Sequence, residues 1–282
     1  AIAASRSTLM DEVMREAYAR GVEVSVLTSG IWQTSSTILA HRGACLVVDP
    51  AYFPRELAAI EEAVRARGPA DAVVFTHGHW DHVMGHARFD APVWLGHALD
   101  TAIAAGEPRV AKWLEDAREF DSRWYVPRDG YAWPVHRRAL REGDRVELAG
   151  SPLRVLELAG HSFDGIALVV EELGVLLPGD HLSPCEIPFV EDAAAYCDTL
   201  VRLIELLPEL SEVIPGHGPR MSAADALLIA RADLAYIDRM RDVAAKRDLG
   251  GAARMPLPRA AHVVGMRDHH RENLRKLGIA LG

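Results

Sequence analysis

Residues 75–86, FTHGHWDHVMGH, carry four histidines and an aspartate, and they run on directly from the strand-like DAVVFT at 71–76. A chain that crowds imidazoles at the end of a buried strand is constrained twice. The strand must lie in a sheet stiff enough to position the cluster, and the cluster must find partners for its donors. His77 and His79 are two apart, so on an extended segment their side chains leave the same side. The adjacent Asp81 and His82 have to diverge from that pair, which favours two metal positions over one. Further donors must come from elsewhere, and three recur in one local setting. His161 ends RVLELAGH, Asp180 ends GVLLPGD and His217 ends EVIPGH, each after a strand-like run and a glycine.

The rest of the chain reads as two rounds of β-rich and helical sequence followed by a helical tail. A polar, amphipathic helix is expected at about Leu9–Arg20. The β-branched runs at 22–30, 36–41 and 44–50 predict an antiparallel meander, and 54–67, with Pro near its start and Gly after it, predicts a helix. PVWL at 92–95 predicts the next strand, and 97–137 is helical, then irregular and aromatic. Strands resume at 151–160, 166–172 and 174–180. A helix at 192–207 leads to a short strand at 211–218, and from about 222 the pattern is helical, broken at 254–259.

The charge balance, 31 − 40 = −9, argues against nucleic acid or an anionic membrane as a partner. The short basic run of Arg137, Arg138 and Arg141 reads as a solvated face. Three irregularly spaced cysteines exclude a disulfide framework or a cysteine-rich zinc site. Cys45 is expected in the core, and Cys185 near the donors without a role. No apolar run approaches the roughly 20 residues of a membrane span, and no charged-then-apolar leader opens the sequence, so a cytoplasmic location is expected.

His-x-His-x-Asp-His, then Gly-His, Gly-Asp and Gly-His after successive strands, resembles the metallo-β-lactamase superfamily of hydrolases over about residues 22–220. The resemblance implies an α/β fold, an αββα sandwich of two mixed β-sheets flanked by helices with the metals at one edge. The core would span 1–220, with a helical and aromatic insertion at about 97–137, and a helical extension over 221–282 would pack on it. Carried over position by position, His77, His79 and His161 would hold one metal and Asp81, His82 and His217 a second, with Asp180 bridging. Asp49, in VVDP, matches an aspartate that supports a metal-binding histidine. The donor set suits two zinc ions and is compatible with iron or manganese. His41, His86, His97 and His262 fall outside the pattern, and His181 either orients substrate or packs.

By the same resemblance, a metal-bridging hydroxide, oriented by Asp81, would cleave an acyl thioester, ester or lactone. AGHSFDG around His161 departs from the Thr/Pro-rich approach of glyoxalase II-like thioesterases. Ser183 stands where quorum-sensing lactonases often carry tyrosine. Alternatives are a persulfide dioxygenase-like oxidoreductase with one iron on His77, His161 and Asp180, and a β-lactam hydrolase. The expected partner is a small-molecule substrate with an apolar or acyl portion. Trp113, Trp124, Tyr125, Tyr131 and Trp133 make 107–137 a candidate lid or pocket wall. Arg271, Arg275 and Lys276 are either solvated charges or contacts for an anionic carrier.

Overall fold

The computed structural model describes residues 21–280; the helix expected at about Leu9–Arg20 lies outside the described residues. The first round of sequence folds into a six-stranded sheet ordered β1 (Glu23–Thr28), β2 (Ser35–His41), β3 (Ala44–Val48), β4 (Ala70–Val74), β5 (Val93–Gly96) and β6 (Arg137–Leu140). β1 to β3 form the expected antiparallel meander, and β3 to β6 are parallel. The second sheet contains β7 (Arg145–Leu148), β8 (Ser151–Glu157), β9 (Ile166–Val170), β10 (Val175–Leu177), β11 (Glu212–Val213) and β12 (Met221–Ser222), in the spatial order β12-β11-β10-β9-β8-β7. It is antiparallel except between β10 and β11.

Both faces of both sheets are buried, which is why the central strands are apolar throughout rather than alternating. In β3, Leu46 and Val48 point between the sheets, where they meet Val155, Leu168 and Val170. Cys45 and Val47 point the other way, toward helix α1 (Pro54–Arg65) and its buried stripe of Leu57, Ile60 and Val64. Likewise Ala167 and Val169 of β9 face outward against α5 (Ala193–Leu206) and α6 (Ala223–Lys246). Three buried layers between four layers of structure define an αββα sandwich, each fully buried Leu or Val contributing about 1.5–3 kcal/mol. The tail helices α6, α7 (Leu249–Arg254) and α8 (Met266–Lys276) share one apolar cluster with the second sheet. No helix among the described residues is long and apolar enough to cross a membrane.

The short strands β6, β7 and β12 were not legible. β6, RRAL, is an edge strand whose arginines are partnered rather than merely solvated. Arg137 Nε bonds Asp100 Oδ1 at 2.8 Å, and the Arg138 guanidinium lies 5.0 Å from the Trp94 ring. Arg141, beyond the strand, reaches His97 Nε2 at 2.8 Å.

The insertion forms α3 (His97–Ala105) and α4 (Pro108–Trp124), followed by irregular chain. Most of its aromatic residues do not wall a pocket. Asp121 on α4 is 1% exposed, and it draws donors inward: Tyr52 Oη at 2.7 Å, Arg128 Nε at 2.5 Å and Tyr131 Oη at 3.0 Å. Trp133 Nε1 bonds the carbonyl of Val110 at 3.2 Å, while Trp124 and Tyr125 are exposed to solvent. Only Trp113 of the five reaches the cavity described below.

Because Asp121 is fully desolvated, Arg128→Met leaves a buried charge without its counter-ion. The expected loss is about 3 kcal/mol, at the low end for a broken buried pair because both tyrosines remain as donors. A lowered urea midpoint at unchanged slope would report it.

Candidate metal centre

All seven donors predicted from the sequence meet at one edge of the sandwich. β4 delivers Thr76 and His77 to this edge, and the short helix α2 (Trp80–Val83) then turns the chain so that Asp81 and His82 face back toward it. His161, Asp180 and His217 arrive from the loops after β8, β10 and β11. The glycines before Asp180 and His217 are sterically required. Gly179 has φ +59°, and a Cβ on Gly216 would lie 2.2 Å from Asp180 Oδ1.

Three overlapping donor groups result: His77, His79, His161 and Asp180; Asp81, His82 and His217; and Asp49, His77 and His82. Within the first, His79 Nδ1 is 3.0 Å from both His77 Nε2 and His161 Nε2. Within the second, His82 Nε2 lies 3.3 Å from both His217 Nε2 and Asp81 Oδ2. Asp180 stands between them: Oδ2 is 3.2 Å from His161 and from His217, and Oδ1 is 3.1 Å from His82.

Four of the five imidazoles are held from behind through Nδ1, which leaves Nε2 facing the centre. The partners are Thr76 Oγ1 for His77 at 3.1 Å, Asp49 Oδ2 for His82 at 3.1 Å, the Phe189 carbonyl for His161 at 3.1 Å and the Trp32 carbonyl for His217 at 3.0 Å. Asp49 also accepts from Thr76 N at 2.8 Å and from Thr76 Oγ1 at 2.5 Å, so it locks the strand end and the His82 ring together. It touches the far edge of that ring, the place of a supporting residue rather than of a donor to the centre. Asp81 Oδ2 accepts from Thr34 Oγ1 at 3.2 Å, which ties α2 to the loop between β1 and β2.

The electrostatics divide the cluster. Burial pushes His77 and His79 down, His79 to about 3, so both are neutral bases. Burial also opposes charge on His82 and His217, but Asp180 outweighs it, with help from nearby carboxylates; His82 is raised well above its usual range and His217 to about 9. Burial would raise Asp81, yet His82 and His217 bring it down to about 2. The carboxylates therefore draw positive charge into the centre, and Asp180 Oδ1 is buried without a hydrogen-bond partner of good geometry. A divalent cation fits both conditions, and an all-nitrogen-and-oxygen donor set accommodates zinc, iron or manganese.

The remaining predicted residues fall outside the cluster. His86 Nδ1 bonds the Val83 carbonyl at 2.8 Å, and the His181 ring packs on Tyr196 at 4.6 Å, so His181 does not face the cavity. Cys45 is buried in the core. Arg271 and Arg275 pair with Asp268 and Glu272 on their own helix, and Lys276 Nζ reaches the Val190 carbonyl at 3.0 Å.

Beside the donors opens a cavity of about 700 Å³. Sequence reading missed several of its walls: Trp32, Glu186, Phe189, His262 and His269 all line it, as does Cys185. Nothing in their spacing marks them, because they come from the β1–β2 loop, the loop after Asp180, the segment before α8 and α8 itself.

Groups of histidine and aspartate donors able to hold metal ions lie at the loop edge of an αββα sandwich and open to a ligand-sized cavity. The chain belongs to the metallo-β-lactamase superfamily, whose family model matches residues 29–235. It is 31% identical to acyl-coenzyme A thioesterase MBLAC2 of Homo sapiens over 162 residues, 54% of this chain and only 57% of that protein. It is 30% identical to the hydroxyacylglutathione hydrolase of Acidiphilium cryptum (strain JF-5) over 219 residues, 72% of this chain and 75% of that protein. Among solved structures, TTHA1623 in a di-iron-bound form superposes with a TM-score of 0.55 at 27% identity, covering 71% of this chain and 96% of that one. A metallo-beta-lactamase family protein from Thermus thermophilus shares the fold, with a TM-score of 0.62 at 21% identity, covering 92% and 94%.

Asp49→Ala removes the acceptor that orients His82 and leaves the Thr76 backbone N–H without its partner. Affinity of the centre for a divalent cation is expected to fall about 10–100-fold, read by competition with a chromogenic chelator.

Proposed function

We propose that this protein is a dinuclear metal-dependent hydrolase of acyl thioesters, esters or lactones. The observation that carries the reading is a pair of donor groups with Asp180 in contact with histidines of both, at the floor of an aromatic-walled cavity. In this reading His77, His79 and His161 would hold one ion and Asp81, His82 and His217 the other, with Asp180 a ligand available to both. Zinc is the favoured metal, with iron or manganese as alternatives; the di-iron-bound form of TTHA1623 supports keeping iron among them. Bound divalent metals lower the pKa of water toward neutrality and polarise a carbonyl oxygen.

The chain's own residues supply position and exclusion. Asp81, ionised and held by Thr34, accepts a hydrogen bond from the attacking water and fixes its approach. Trp113, edge-on to His79 at 5.1 Å, and Phe189, 6.4 Å from His161, shield the reacting carbonyl from bulk solvent. The helical extension belongs to the same unit in this reading, since Met266 and His269 complete the cavity. A small molecule with an apolar acyl part suits these walls. The names of the relatives, an acyl-coenzyme A thioesterase and a hydroxyacylglutathione hydrolase, favour thioester chemistry over lactone opening.

Zinc-loaded protein is expected to hydrolyse an S-acyl thioester faster than a lactone of equal chain length, both followed by acid release in a weakly buffered pH assay. Failure on both, with one bound iron and oxygen uptake, would replace hydrolysis with an oxidative reading. Asp180→Ala removes the shared ligand, so bound metal measured by atomic emission and kcat/KM are expected to fall together, the latter by at least about 10²-fold. A metal-free, fully active variant would sink the ligand assignment.

A further inference from the structure

The cavity has a one-sided charge pattern. Among the described residues no lysine or arginine lines it, whereas Asp116 and Glu186 do, alongside the rings of Trp32, Trp80, Trp113 and Phe189. Trp32 and Trp80 stand edge-to-face with centroids 5.2 Å apart, and Trp113 stacks on Phe163 at 5.9 Å, so these rings are held rather than loose.

Glu186 differs from the shielded carboxylates Asp49, Asp121 and Asp233, and from Asp164, whose oxygens lack partners of good geometry but do not line the cavity. Asp49 is held by Thr76 and His82, Asp121 by Tyr52 and Arg128, and Asp233 by Arg259. Glu186 is partly buried, has no side-chain hydrogen bond or ion pair among the described residues, and opens onto the cavity; burial pushes its carboxyl up to about 7, which a bound cation would reverse. Arg259, anchored just below the same loop, is already committed. Its Nε bonds the Ser183 carbonyl at 2.6 Å, and both terminal nitrogens go to Asp233. A partly desolvated carboxylate without a protein partner is a binding group for a ligand cation, and ring faces add to the attraction. Away from the metal centre, an anionic ligand would meet Glu186 with no lysine or arginine on the wall to oppose it, since Asp116 is already paired with Lys112.

We propose that Glu186 determines specificity by pairing with a cationic nitrogen on the substrate, so that the preferred substrates are apolar acyl compounds bearing an ammonium group rather than compounds held through an anionic carrier. The inference rests on the hydrolytic reading above and narrows it to a substrate class. It also separates this chain from an acyl-coenzyme A thioesterase in the part of the site that would meet the carrier.

The test uses full-length, metal-loaded protein and three thioesters sharing one medium-chain acyl group. Their leaving thiols end in trimethylammonium, hydroxyl or sulfonate. Wild type is expected to favour the ammonium over the sulfonate substrate by at least about tenfold in kcat/KM, expressed mainly in KM. Glu186→Gln should compress that ratio to within about threefold, and Glu186→Lys should invert it. Uncleavable thioether counterparts, titrated calorimetrically, should bind in the same order. Should Glu186→Lys fail to fold, Glu186→Gln carries the comparison. Retention of the ammonium preference by Glu186→Gln, or a sulfonate preference in wild type, would overturn the assignment. If no thioester is cleaved but the thioethers keep their order and lose it in Glu186→Gln, hydrolysis is the reading that falls, and charge selection by Glu186 stands.

Discussion

Asp180 is a carboxylate enclosed by imidazoles, with His77, His82, His161 and His217 all within 3.5 Å. Burying an ionised carboxylate is expensive unless positive charge and hydrogen bonds surround it. Burying so many imidazoles at contact distance is expensive unless something positive and multivalent uses their lone pairs. Each cost is met by the other group together with a cation. The fold is organised to make that arrangement unavoidable. The donors come from four separate strand ends, so no local rearrangement relieves one without displacing two sheets.

This explains why the imidazoles are braced from behind, two by carbonyls and two by side chains. The loops between the elements present carbonyls at fixed positions, and Phe189 and Trp32 use theirs to orient His161 and His217. Where a strand end presents no suitable carbonyl, Asp49 does the same for His82 with a side chain, from a left-handed backbone at φ +49°. That conformation is uncommon for a residue with a Cβ, and here three hydrogen bonds to the Asp49 carboxylate fix it. The rigidity matters chemically because preorganised donors do not reorganise as charge develops.

The same distinction separates what could be read from the chain and what could not. The two rounds of strands were legible because central strands buried on both faces are apolar along their whole length, and the αββα layering was implied by the resemblance that His161, Asp180 and His217, each after such a strand and a glycine, help to carry. β6 escaped because its first two residues are arginines and a third follows the strand, and its identity as a strand depends on Asp100 and Trp94, which are distant in sequence. The aromatic insertion was misread for a related reason. A run of tryptophan and tyrosine is consistent with a pocket wall or a packed layer, and the decision rests on Asp121, whose need for buried donors turns Tyr131 inward. Glu186 and Trp32 carried no signal at all, since a cavity wall is set by which loops converge.

The wall and the metal centre are therefore built from different sources, and the join between them is Arg259. It fastens the segment before α8 to the buried Asp233 of α6 and, through the Ser183 carbonyl, to the loop that follows Asp180. The tail and the loop carrying Glu186 are thus positioned by one guanidinium whose charge is already neutralised. Substitutions in the segment from Ala260 to Met266 can reshape the cavity mouth without moving a donor of the centre, because none of those donors bonds to it. A fold arranged this way keeps its metal chemistry constant while the charge and shape of the substrate wall vary. That separation is the physical reason that sequence resemblance at the donors identifies the family and says little about the compound the pocket accepts.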